Sequence, residues 1–207
     1  MENLLCALKE MRSVLSSQKS STSQNLWVDS ICIDQASIEE RAIQVGLMGQ
    51  IYSNASTVRV WIGLPGFTDI RAAFGFIDNT LRAGYNKPMV VSNIRPDIKA
   101  VTELLSRSYW NRMWVFQEIV LAQQVVVHCG AHSKPWEEFE EFDAIYGSRA
   151  AWNMTGGQHE ESLELRNALF KIAHLFVSRA QATHFRNVVL PTRHLQCQDP
   201  KTSSTHF

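Results

Sequence analysis

Several sequence features that often reveal a function or a compartment are missing. The four cysteines, Cys6, Cys32, Cys129 and Cys197, lie far apart and form no Cys-x-x-Cys pair, which argues against a disulfide framework and favours a reducing compartment. No apolar run reaches the roughly 18 residues that span a bilayer, and the first residues do not resemble a signal peptide. These absences predict a cytoplasmic protein without a membrane span.

Charge and binding motifs exclude further classes. The 20 basic and 20 acidic residues give a formal net charge of +0, so no overall field attracts nucleic acid or an anionic membrane. Gly-x-Gly-x-x-Gly and Walker loops are absent, which leaves a standard dinucleotide or nucleoside triphosphate site unsupported. A metal site is one interpretation of His128, Cys129 and His132, which are all of metal-ligating types. A second ligand pair at recognisable spacing is missing, however. We therefore expect no metal and no nucleic-acid partner.

What the sequence does contain is an alternation of helical and strand patterns. Its 207 residues, 45% of them hydrophobic, suit one domain of roughly 150 residues with an extension. Helical spacing opens the chain at Leu4, and capping residues Ser37 and Asp69 each precede a helix. Further helices are predicted over 96–107, 110–121, 136–146 and 163–177, and strands over 26–33, 57–62 and 124–129.

This order of elements predicts the fold class. Strands separated by helices indicate parallel pairing through right-handed helical crossovers, hence an open three-layer α/β sheet with flanking helices. Apolar residues occupy nearly every position of 26–33, which is typical of a strand covered on both faces of a parallel sheet. Three strands make a small sheet, and a strand that usually precedes the first helix of such folds is missing.

Two blocks of this sequence resemble the heterokaryon-incompatibility (HET) domain of filamentous fungi. Residues 26–35 read LWVDSICIDQ and are followed by ERAIQV at 40–45 and VWIG at 60–63. Residues 107–118 read RSYWNRMWVFQE, and Cys129-Gly130 follow. The family has a similar Trp-Ile-Asp-x-x-Cys-Ile-Asn-Gln strand, Glu-Arg-x-x-Gln-Val helix and Trp-x-x-Arg-x-Trp-x-x-Gln-Glu block. Two long blocks in the right order are far more specific than a short pattern.

The sequence departs from the family at both ends. HET domains usually begin with a strand that carries a Leu-Ser-Tyr-x-Trp-Gly motif, and they often carry Asp-Pro-Arg-Asp where residues 181–188 read QATHFRNV. The hypothesis is an N-terminally truncated or mis-spliced member. We expect a HET-like domain over 1–147 with its signature at 26–130, a loop and C-terminal helix over 148–180, and a poorly structured tail over 181–207.

The resemblance implies a signalling or effector module in fungal vegetative incompatibility and programmed cell death. HET domains look distantly like TIR domains, which implies a TIR- or flavodoxin-like fold. Two mechanisms stay open, namely protein interaction with self-assembly, which we prefer, and cleavage of NAD as substrate. A truncated chain without activity is a third outcome, which a thermal scan lacking a cooperative transition would indicate.

If the chain is an enzyme, Glu118 is the expected catalytic residue. Some TIR domains cleave NAD with a glutamate in a Trp-x-x-x-Glu setting, and Trp114 and Glu118 share one helix face. A carboxylate can stabilise the oxocarbenium character that develops on the ribose, and Trp114 could stack against the ligand. Alternatively, Glu118 has a structural role and its carboxylate pairs with Arg112 or Arg41. The analogy with the TIR fold alone is a weak argument for catalysis.

A polar pocket floor is expected after the first predicted strand. Asp34 falls at the carboxyl end of that strand, where open α/β folds place ligands, so Asp34, Gln35 and Arg41 are predicted to bind a ligand together with Arg112 and Trp114. Alternatively, Asp34 caps the following helix. For Asp29, within the strand, the favoured interpretation is a buried carboxylate bound to an arginine or to backbone amides.

Overall fold

The computed structural model describes residues 2–17, 25–85, 94–147 and 160–181. The elements, in chain order, are α1 (Glu2–Ser17), α2 (Asp29–Cys32), α3 (Ile38–Asn54), β1 (Val58–Trp61), α4 (Ile70–Ala83), α5 (Ile94–Leu105), a 3-10 helix (Ser108–Asn111), α6 (Val115–Val120), β2 (Val125–Cys129), β3 (His132–Pro135), α7 (Trp136–Tyr146) and α8 (Glu160–Gln181). The predicted α/β class is confirmed. Residues 148–159, and 182–207 of the predicted tail, lie outside the described residues.

The sheet of the described residues has the order β1-β2-β3 and is mixed. β1 and β2 pair in parallel, as the sequence predicts, and their register sets Val58 opposite Val125. β3 pairs antiparallel to β2, with Cys129 opposite His132, so the expectation of parallel strands only is wrong. Gly130, at a φ of 55°, adopts the left-handed conformation that permits so tight a reversal. β3 was not predicted, because its four largely polar residues show no strand pattern in the sequence.

The strand predicted over 26–33 is wrong. Residues 25–28 have no regular secondary structure, and the next four form α2. Val28 carbonyl oxygen accepts from the amides of Ile31 and Cys32 at 3.0 and 2.8 Å, so a helical turn satisfies backbone groups that a neighbouring strand would otherwise pair. Within this stretch Ile33 is buried, whereas Ile31 is 56% exposed. Short apolar runs do not distinguish strand from helix by periodicity alone.

The helix starts that depend on capping residues are confirmed. Ser37 hydroxyl oxygen accepts from the Glu40 amide at the start of α3, and Asp69 accepts from the Ala72 amide at the start of α4. In a capping box the Glu40 carboxylate would accept a hydrogen bond from the Ser37 amide. Here it accepts one from the Asp34 amide instead, at 3.1 Å. α7 begins directly after Pro135, as predicted, and α5 begins two residues before Pro96.

The single helix predicted over 110–121 is divided in two. A 3-10 turn ends at Asn111, Arg112 is extended with φ −79° and ψ 135°, and α6 begins at Val115. The division turns Tyr109 and Trp110 inward, where both are buried. Trp110 indole donates to the Leu104 carbonyl at 3.0 Å, which anchors the turn to the end of α5.

The core lies between the sheet and helices α4, α5, α7 and α8. Trp136 is fully buried at its centre, with its ring centroid 5.0 Å from that of Phe176 and 6.1 Å from that of Trp110. α8 contributes buried Leu165, Leu169 and Ile172 to the same core. Among the helices of the described residues, none is long and apolar enough to cross a membrane.

Candidate functional site

Glu118 lies on α6, one helical turn after Trp114, as the last residue of the second sequence block over 107–118. Its amide donates to the Trp114 carbonyl at 3.1 Å, so the two side chains leave the same side of the helix. Both side chains are half-buried. The predicted juxtaposition of these two residues is therefore present, while a role of either in catalysis stays a prediction.

The Glu118 carboxylate accepts a hydrogen bond from a tyrosine and not from an arginine. Tyr109 hydroxyl donates to Glu118 Oε2 at 2.6 Å from the buried 3-10 turn. Arg112 instead places its guanidinium carbon 5.7 Å from the centroid of the Tyr109 ring, a cation–π distance. In the described residues no ion pair joins Glu118 to Arg112 or Arg41. Arg112 thus affects Glu118 through the electrostatic effect of its positive charge and not through a direct ion pair.

Burial and neighbouring charges shift the titration of the groups around Glu118. Burial raises the pKa of Glu118, and the Asp29 charge raises it further, while the Tyr109 hydrogen bond and Arg112 oppose the shift. Burial, followed by the Glu118 charge, raises the pKa of Tyr109 and of Tyr52. Both phenols therefore stay protonated at neutral pH and are available as hydrogen-bond donors.

These residues come from both sequence blocks. Asp29 and Tyr52 belong to the first block and its helix, whereas Tyr109, Arg112 and Glu118 belong to the second. We call these five residues the Glu118 cluster. The Trp27 ring packs edge-on against the Tyr52 ring of this cluster, and the two ring centroids are 6.0 Å apart. The fold therefore brings together residues of two segments that lie between 57 and 89 positions apart in the sequence.

Two of the three residues predicted to form a polar pocket floor, Asp34 and Gln35, lie in the turn between α2 and α3. Asp34 Oδ1 accepts from the Ala36 amide at 2.9 Å and closes this turn, one step before the Ser37 cap. Gln35 side-chain amide donates to the Asp29 carbonyl at 3.0 Å and ties the turn to α2. Arg41 is exposed on α3. Ligand binding by these residues stays a prediction.

Asp29 sits in the first turn of α2 and not in a strand. Its Oδ1 accepts from the Ser30 amide at 2.6 Å, and the side chain is half-buried. The expected bond to a backbone amide is present, although the fully buried setting inferred from a strand is not. An aspartate in the first turn of a helix is favourable because it faces the positive end of the helix dipole.

Sequence reasoning missed the role of Arg107, the first residue of the second block. Its guanidinium donates to the carbonyl oxygens of Ile62, Leu64 and Pro65 at 3.0, 2.6 and 2.6 Å. A further contact at 3.3 Å reaches the Thr68 hydroxyl. Arg107 therefore fixes the loop that follows β1. This role is visible only in the structure, because the loop is more than 40 residues from Arg107 in the sequence.

The histidines and cysteine of β2 and β3 do not converge on a metal. Arg59 Nη1 lies 3.4 Å from His128 Nε2, and since a guanidinium only donates, this nitrogen accepts. Burial, followed by the Arg59 charge, lowers the pKa of His128 to about 4. In the described residues no group of three or more His, Cys, Asp or Glu side chains could hold a metal ion.

Comparisons with known proteins match the chain to one family. The family model of "Heterokaryon incompatibility protein (HET)" matches residues 2–118, which is more than half of the 207 residues and includes the whole Glu118 cluster. The chain is also 27% identical over 137 residues to "Heterokaryon incompatibility protein 6, OR allele" of Neurospora crassa. That alignment covers 51% of this chain and 20% of the relative, so the chain spans about a fifth of the relative's length. No solved structure gives a significant match.

Proposed function

Because the chain belongs to the heterokaryon incompatibility (HET) family, we propose that it is a signalling or effector module of fungal vegetative incompatibility. In this proposal the module acts in the cytoplasm through protein interaction and self-assembly, and its action leads to programmed cell death. The family match supports the process, as does the name of the Neurospora relative. The unpaired thiols of Cys6, Cys32 and Cys129 suit a reducing compartment.

The observation that carries the interaction mechanism is the apolar surface of α2 and α3. Met48 is the one buried residue in the 17 residues of α3. Large aliphatic side chains are instead exposed: Ile31 is 56%, Ile38 75%, Ile43 57% and Leu47 39% exposed. We call these four residues the α2–α3 surface. Ile43 and Leu47 lie one turn apart on the same side of α3, and exposed aliphatic side chains that adjoin in this way are typical of a protein-binding surface.

A cell-death assay tests this proposal. Ile43 and Leu47 are one turn apart on α3, so Ile43→Glu with Leu47→Glu places two charges on the α2–α3 surface without filling the core. Phe170→Glu is the matched control, since Phe170 is 81% exposed on α8, outside the family match. We expect hyphae expressing the wild-type chain or the control to arrest and take up a vital dye, and the double variant to grow normally. Equal killing by the double variant, with all chains folded, would contradict the proposal.

The Glu118 cluster supports a second candidate, a TIR-like NAD-cleaving hydrolase. A carboxylate of raised pKa that is held by a tyrosine beside an arginine is a common arrangement in active sites. The parallel pairing of β1 and β2 suits the open parallel sheet of such a fold. In this candidate Glu118 holds the ribose or stabilises its developing charge, with Trp114 beside the ligand.

Nicotinamide release from NAD tests this candidate. The variants are Glu118→Ala and, as a control, Glu164→Ala, because Glu164 is an exposed glutamate on α8. Loss of release in the first variant alone supports the hydrolase. No release by folded wild-type chain at any concentration excludes it and leaves the interaction mechanism.

A further inference from the structure

Within the described residues, the outer edge of β1 has backbone groups without a hydrogen-bond partner. Val58 and Ile62 donate to the carbonyl oxygens of Gln124 and His128 at 2.8 and 3.0 Å, so alternate residues from Val58 onward face β2. The N–H and C=O groups of Arg59 and Trp61 therefore point away from β2. Across the ranges that the structure describes, these four groups have no hydrogen-bond partner.

The two edges of the sheet differ in how they are protected. Proteins usually blunt an edge with proline, a short strand or an inward-pointing charge. β3 has such features, because Pro135 lacks an N–H and the buried Lys134 pairs with Asp78 and Glu138. On β1 the charged residue is Arg59, but its guanidinium is directed to His128 on the face of the sheet. The edge of β1 is thus the less protected of the two.

We propose that the edge of β1 pairs antiparallel with the same edge of a second copy of this chain, so that the two sheets become one. This inference rests on the proposed self-assembly and names its contact. A two-fold axis through Val60 sets Arg59 opposite Trp61 of the second copy, and Trp61 opposite Arg59 of the second copy. Both are hydrogen-bonded pairs in an antiparallel ladder, so all four unpaired groups of each copy find partners.

The side chains complement each other in the same register. Arg59 and Trp61 are two residues apart and lie on one face of the sheet. Across the two-fold axis each Arg59 lies opposite a Trp61 instead of a second arginine, which avoids like-charge repulsion between the two copies. Shifting the register by two residues toward Val58 would place the two Arg59 side chains directly opposite each other, so like-charge repulsion disfavours that register relative to the one centred on Val60.

Amide hydrogen exchange of the wild-type chain at increasing protein concentration tests this contact. We expect the amides of Arg59 and Trp61 to exchange about tenfold more slowly once the chain dimerises, while the Val60 amide, already paired with β2, does not change. Dimerisation without a change at Arg59 and Trp61 overturns the edge contact and leaves self-assembly in place. A chain that stays monomeric at every concentration overturns both.

A matched pair of variants isolates the backbone contribution. Arg59→Pro removes one outward N–H and leaves the donors that face β2, whereas Arg59→Ala removes the same side chain and keeps that N–H. By analytical ultracentrifugation we expect Arg59→Pro to be monomeric and Arg59→Ala to dimerise with weakened affinity, both with the far-ultraviolet dichroism of the wild type. Equal dimerisation by the two folded variants contradicts the inference.

Discussion

The stability of the fold should fall as the pH drops below 6.5, and His128 should be a principal cause. His128 is 2% exposed on β2, and its Nε2 accepts from the Arg59 guanidinium 3.4 Å away. Burial, followed by the Arg59 charge, lowers its pKa from 6.5 to about 4. The folded chain therefore binds this proton more weakly than the unfolded chain does, so stability rises with pH between these two values and is lost as the pH falls.

The size of the effect follows from the two pKa values. Well above pH 6.5 both states carry neutral His128, and the group adds no pH dependence. At pH 4.5 the unfolded histidine is almost fully protonated and the folded one mostly is not. The difference corresponds to about 2.5 kcal/mol, given values of 6.5 and about 4.

Urea unfolding of the wild-type chain and of His128→Gln at several pH values between 7.5 and 4.5 measures this term. Glutamine keeps a hydrogen-bond acceptor and does not titrate, so the free energy of unfolding of the wild type should fall by about 2.5 kcal/mol more than that of the variant. His174→Gln is the control, since His174 is exposed on α8, and it should follow the wild type. Parallel curves for wild type and His128→Gln would refute the reasoning.

Three further predictions concern the loops and the Glu118 cluster, each measured by urea unfolding at pH 7. Tyr109→Phe removes the donor to Glu118 and should cost about 1–3 kcal/mol, and a cost near zero would mean that the 2.6 Å contact contributes nothing. Arg107→Ala should cost roughly 2–3 kcal/mol and increase proteolysis of the loop after β1, whereas unchanged cleavage there would contradict its clamping role. Gly130→Ala should destabilise by about 1–2 kcal/mol, because φ is 55° and an added Cβ would lie 2.8 Å from Pro65 Cδ. Gly75→Ala, on α4 with open space around it, should instead stabilise slightly, and equal effects of the two glycine changes would exclude this explanation.

Much of the fold was predictable because local chemistry determines it. Ser37 and Asp69 mark helix starts with their own side chains, and each does accept the expected backbone amide. The β-branched runs of β1 and β2 were found within a residue or two of their bounds. These elements were found from residues within a few positions of each other, which is the range over which sequence patterns are informative.

The rest depended on contacts that sequence order does not show. Residues 26–33 have the composition of a strand but lack a partner strand in the described sheet, so the backbone closes locally into α2. Glu118 was singled out from its motif, yet its partner Tyr109 came to light only because the helix predicted over 110–121 is broken at Arg112. Arg107 likewise meets its acceptors more than 40 positions earlier in the chain.

Programmed cell death in fungal hyphae, measured side by side for three chains, tests the central proposal most directly. The chains are wild type, the Ile43→Glu, Leu47→Glu variant of the α2–α3 surface, and Glu118→Gln, which keeps an acceptor for Tyr109. If the module acts through protein interaction, the wild type and Glu118→Gln kill and the surface variant does not. Killing by the surface variant together with survival under Glu118→Gln would contradict the interaction mechanism and point to chemistry at Glu118.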